Sequence, residues 1–74
     1  MKKQLSKKSI EELRKLYVPG TRIKLEKMED TQAPPIGTIG KVICVDDIGT
    51  IHVQWQNGSS LGVVLKEDKI EIIK

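Results

Sequence analysis

Polar and apolar residues alternate along Thr50-Ile51-His52-Val53-Gln54-Trp55-Gln56, so Ile51, Val53 and Trp55 fall on one side and His52, Gln54 and Gln56 on the other. A period of two marks a half-buried strand. The run leads into Asn57-Gly58, a pair that tolerates the two positive φ angles of a tight hairpin turn. Trp55 is therefore the expected anchor of the core. Thr21 to Lys27 alternates in the same way, with Ile23 and Leu25 inward and Arg22, Lys24 and Glu26 outward. Lys41-Val42-Ile43-Cys44-Val45 is nearly all apolar and predicts a strand buried on much of both faces, with Asp46-Asp47-Ile48-Gly49 closing a hairpin after it. Ser60 to Leu65 predicts a further strand in which Gly62 marks a bulge or a close backbone approach. Ile70 to Ile73 predicts the last one, after the short polar turn Lys66 to Lys69.

The start of the chain follows a different period. Ser9-Ile10-Glu11-Glu12 has capping-box spacing, in which the serine accepts from an exposed amide and the second glutamate reaches back. Ile10, Leu13, Leu16 and Tyr17 then recur at steps of three and four, predicting a short helix over residues 10–17 with one apolar stripe. Val18-Pro19-Gly20-Thr21 suits a type II turn that ends it. Met28 to Pro35 has no strand period and reads as a long loop. Five short strands, one long early loop and several tight turns predict a mainly β fold, a small five-stranded SH3-like β-barrel with a short N-terminal α-helix. Closure of such a barrel hides its strand edges. The expected division is a basic, disordered tail over residues 1–8 and a single barrel domain over residues 9–74 that carries helix 10–17.

Composition narrows the function classes. With 74 residues and 38% hydrophobic content there is material for one small core. The single cysteine, Cys44, rules out an internal disulfide and points to a reducing, cytoplasmic setting. The lysines at the start are not followed by an apolar segment, and no run approaches the roughly 20 apolar residues of a membrane span, so no membrane association is expected. The net charge of +3 looks like a signal for nucleic acid until it is located. Lys2, Lys3, Lys7 and Lys8 supply four of the 13 basic residues with no acid among residues 1–8, which leaves the remainder nearly neutral.

No cluster of reactive side chains emerges. A general base needs an orienting partner and a metal needs three or four ligands, and lone His52 has neither at recognisable spacing, so a surface or cross-strand structural role is expected. Cys44 lies between Ile43 and Val45 and is expected to pack as a small hydrophobe. Ser59 and Ser60 read as turn residues, Asp46 and Asp47 as hairpin-tip residues, and the glycines match no phosphate-cradling loop. Aromatic residues are scarce: Tyr17 and Trp55 are the whole supply. Grooves for proline-rich peptides, methyl-lysine cages and base-stacking platforms all need more. The expectation is a protein with no enzymatic activity, no cofactor and no metal.

Several motifs in order carry a family resemblance: Pro19-Gly20-Thr21-Arg22-Ile23, Met28-Glu29-Asp30, Gln32-Ala33-Pro34-Pro35, Gly37-Thr38-Ile39-Gly40, Val45-Asp46-Asp47, Gly49, and Ile51-His52-Val53-Gln54-Trp55 through Ser60. Over most of residues 17–73 the chain resembles a small bacterial and phage family, domain of unknown function 4314. The stretch from Gly37 to Gly58 is more distantly similar to the Mind bomb and Herc-type domain of eukaryotic ubiquitin ligases, an SH3-like module. Gln56 departs from the pattern, which would have an aspartate before Asn57-Gly58. The resemblance implies an SH3-like fold, a bacterial, phage or mobile-element origin and no established activity.

The leading expectation is a binding module that contacts another protein, as an accessory or inhibitor. Its candidate surface is the loop of residues 29–36, holding Glu29, Asp30, Gln32, Pro34 and Pro35, together with the hairpin tips at Asp47 and Asn57 and the helix. The alternative is weak, sequence-nonspecific nucleic-acid binding in which Lys2, Lys3, Lys7 and Lys8, with Arg22 and Lys24, contact phosphates.

Overall fold

Alternation along the strands builds one buried face. In a computed structural model that describes residues 7–73, β1 (Arg22–Lys27) turns Ile23 and Leu25 fully inward, and β3 (Ile51–Trp55) does the same with Ile51, Val53 and Trp55. Trp55 is 1% exposed, and its Nε1–H donates to the Leu61 carbonyl at 2.9 Å, so the ring is buried without an orphaned polar atom. Burying an indole of roughly 150–250 Å² corresponds to about 4–6 kcal/mol of transfer free energy, an upper bound. With β2 (Ile39–Val45) and β4 (Lys69–Ile73), these strands form one antiparallel sheet in the order β3-β2-β1-β4.

The described residues hold four strands in an open sheet, where five strands and a closed barrel were expected. The segment 60–65 makes a single reciprocal bridge, Val63 N–H to Ile51 O at 2.8 Å and Ile51 N–H to Val63 O at 2.9 Å. One contact limits how far pairing spreads: the Leu61 carbonyl accepts the Trp55 indole instead of a β3 amide. Gly62 passes so close to Thr50 that a Cβ would lie 2.8 Å from its Cγ2.

Both tips bordering β3 use the same device. At one, Asp46 N–H donates to Thr50 O (3.0 Å), Gly49 N–H to Asp46 O (3.1 Å), and Gly49 has φ +89°. At the other, Trp55 N–H donates to Ser59 O (2.9 Å), Gly58 N–H to Trp55 O (2.9 Å), and Gly58 has φ +93°. Each is a three-residue loop with glycine alone in the left-handed region, where it escapes the Cβ penalty. The expected two-residue turn with Asn57 also at positive φ is not formed, since no described non-glycine residue has positive φ. Asn57 instead accepts the Ser59 amide on its Oδ1 at 3.0 Å.

β2 departs from the double-sided burial expected of it. A register shift between Val42 and Cys44 opposite β3 puts Ile43 and Cys44 both on the solvent side, Ile43 at 50% exposure. A bulge inserts one residue and resets the alternation after it, so Cys44 is exposed rather than packed in the core.

The helix α1 (Lys7–Leu16) begins two residues before Ser9, so Lys7 and Lys8, assigned to the tail by sequence, are its first residues; residues 1–6 lie outside the described part. Ile10 and Tyr17 enter the sheet's core with Leu13 packed against it, whereas Leu16 is 59% exposed. Burial pushes the Tyr17 phenol above its ordinary pKa, so it stays neutral. Arg14 fastens the helix from the other side. Its Nε donates to the Val45 carbonyl at 3.1 Å and its guanidinium to Asp47 Oδ1 at 2.9 Å. No described helix is long and apolar enough to cross a membrane.

Candidate functional site

Between β1 and β2 the chain is shaped by local hydrogen bonds. Asp30 Oδ1 accepts the Gln32 amide (2.8 Å), the Asp30 carbonyl accepts that of Ala33 (3.0 Å), and Thr38 turns back on Pro35 through both its amide (3.1 Å) and its hydroxyl (2.6 Å). Leu25 then exchanges bonds with Thr38 and Gly37, which pins the end of the loop to β1. The loop is thus held at both ends. Glu29, Asp30, Gln32 and Pro35 are exposed and available for contact, as is Ile36 at 63% exposure. Pro34 is buried, so it is removed from the expected contact surface.

Glu29 and Asp30 line a groove of about 470 Å³ together with Leu61, Val64, Glu67 and Asp68. The second wall is the turn before β4, where Val64 N–H donates to Asp68 Oδ2 at 2.9 Å. Lys27 and Lys66 also line it, leaving four carboxylates against two ammonium groups. Sequence reasoning placed Glu29 and Asp30 on a surface loop and missed the opposing wall. Residues 29 and 67 are brought together only by the β1–β4 pairing, which leaves no local trace in the sequence.

The other expected tip residues do not join this groove. Asp47 has a 98% exposed side chain engaged with Arg14, and Asn57 is exposed at its own turn. Asp46, beside Asp47, organises its hairpin. Its Oδ1 accepts the amides of Ile48 (3.1 Å) and Thr50 (2.9 Å), and its Oδ2 lies 2.9 Å from His52 Nε2. The hydrogen bond from His52, helped by those from Thr50 and Ile48, holds the Asp46 carboxyl below the usual aspartate range. His52 stands directly opposite Cys44 in the β2–β3 register, and its ring bonds Asp46, the residue after β2, which gives it a structural role at the hairpin. Among the described residues no group of three or more His, Cys, Asp or Glu is placed to hold a metal ion.

The described members of the expected phosphate set lie on two different elements, the helix and β1. Lys2 and Lys3 lie outside the described residues, and Lys7 and Lys8 start the helix. Arg22 and Lys24 project from β1, with Lys24 3.6 Å from Glu71 on β4. Lys41, which the sequence reading did not single out, is the β2 residue directly opposite Arg22.

The family model described as a domain of unknown function, DUF4314, matches residues 6–73. No curated protein and no solved structure matches the chain.

Proposed function

The chain belongs to the DUF4314 family, and because that family's description assigns no activity, we propose a function from the residues: a non-enzymatic, SH3-like binding module that acts by contact with another protein. The observation that carries it is the groove of about 470 Å³ between the long loop and the turn before β4. Small-ligand and peptide sites have volumes of this order, and loops held on a rigid sheet are where such sites are built. The SH3-like reading is supported by the order β3-β2-β1-β4 together with the return of residues 61–65 to the outer edge of β3 at Val63. An excess of carboxylates around apolar Met28, Leu61 and Val64 fits an extended segment carrying basic and apolar side chains.

The test is copurification from the native cell with the full chain as bait, followed by binding measurements on the recovered partner. Charge reversal at both walls, Glu29→Lys with Glu67→Lys, should weaken the complex at least ten-fold and slow its association at low salt. A partner whose affinity is unchanged by these substitutions would remove the groove from the proposal.

A further inference from the structure

On the outer face of the sheet Arg22 stands directly opposite Lys41, and Lys41 directly opposite Gln54. Opposed residues in an antiparallel pair share a face with Cβ atoms about 4.5–5.5 Å apart, and like charges there are destabilising. The neighbouring cation, Lys24, has Glu71 at 3.6 Å, but neither Arg22 nor Lys41 has a side-chain hydrogen bond or ion pair among the described residues. Both line a concavity of about 430 Å³ with Gln54 and Gln56, and no carboxylate lines it. It shares no residue with the groove assigned above to a protein partner.

We infer that this concavity is an anion site for a phosphate group. A guanidinium offers a planar fork of donors that matches two phosphate oxygens, an ammonium adds a point charge, and glutamine amides add neutral donors. An anion seated between Arg22 and Lys41 turns their mutual repulsion into two attractions. Recognition is limited to the phosphate. Tyr17 and Trp55 are 8% and 1% exposed, and the His52 ring, bonded to Asp46 at the hairpin, does not line the concavity, so no aromatic ring is placed there to stack on a base. The ligand is therefore a phosphate monoester or a phosphodiester read without regard to sequence.

The test uses the full chain, with inorganic phosphate and a short oligothymidylate as separate probes. Amide NMR titrations should show saturable shifts at Arg22, Lys41, Gln54 and Gln56, and thermal unfolding should show a higher Tm in phosphate than in chloride at equal ionic strength. Arg22→Gln should weaken binding about ten-fold or more, the size of a lost charge-assisted hydrogen bond. Arg22→Gln with Lys41→Gln should abolish it while leaving Tm in chloride unchanged or higher, because the like-charge pair is gone. Saturation by inorganic phosphate assigns a monoester or free ion. Saturation by the oligonucleotide alone, with a salt slope reduced by about 0.7 in Lys41→Gln, assigns a phosphodiester backbone. The inference fails if neither probe saturates, if chloride stabilises as well as phosphate, or if oligonucleotide binding survives both substitutions and disappears on deleting residues 1–6.

Discussion

Replacing Gly40 by alanine tests the packing on which the whole molecule rests. Gly40 lies on the buried side of β2 directly opposite Trp55, and a Cβ at that position would sit 2.5 Å from Val53 Cγ1, 2.7 Å from Trp55 Cε3 and 3.1 Å from Trp55 Cδ2. Carbon atoms pack best at about 3.5–4.0 Å, so a neighbour must move. Neither can do so freely. Val53 is β-branched and fully buried, and the indole is tethered to the Leu61 carbonyl. Overpacking of this kind costs about 1–3 kcal/mol, offset by about 0.4–1 kcal/mol because alanine restricts the unfolded chain. The overlap at 2.5 Å puts the overpacking cost in the upper half of its range, so the expected net loss is about 1–2.6 kcal/mol. A domain of this length has about 4–11 kcal/mol in total, and its Tm should fall by roughly 4–20 °C. Urea unfolding followed by Trp55 fluorescence gives the same quantity isothermally. Val53→Ala should cost less in the Gly40→Ala background than in wild type, by about 1 kcal/mol, since it removes the clashing methyl. Gly40→Ala at wild-type stability, or strict additivity with Val53→Ala, would refute the close-approach argument.

Two further predictions concern polar contacts. Because Asp46 releases its proton more readily in the folded chain than in the unfolded one, its contribution to stability is complete above the ordinary aspartate pKa of about 3.9 and is lost as pH falls through the lower folded value. The stability gap between wild type and Asp46→Asn, measured by urea unfolding, should therefore narrow steadily from pH 5 towards pH 2, and a constant gap would contradict it. Arg14→Ala should lower stability by about 0.5–1.5 kcal/mol, most of it retained at 1 M salt, because the Val45 carbonyl is a neutral acceptor. Asp47→Ala should cost under about 0.5 kcal/mol, since its carboxylate is exposed and the ion pair is screened. Full salt sensitivity of the Arg14 effect would assign the helix anchor to the ion pair instead.

Local pattern determined much of this protein. The alternation at Ile23 and Leu25 and at Ile51, Val53 and Trp55 named the buried face residue by residue, because side chains on a strand alternate with a period of two whatever the partner. The apolar positions Ile10 and Tyr17 likewise named the face by which the helix docks. Tertiary structure decided what local period cannot carry. A bulge opposite β3 turned Cys44 outward, and the indole of Trp55 took the carbonyl that would have extended a fifth strand. Neither is encoded at the residue it affects, since each depends on the strand or ring across from it. The same holds for the candidate sites. Glu29 was legible as an exposed loop acid and Arg22 as an outward cation, but their neighbours Glu67 and Lys41 are distant in sequence. Strand register alone makes them adjacent, because hydrogen bonding across a sheet joins residues by position in space and not by order along the chain.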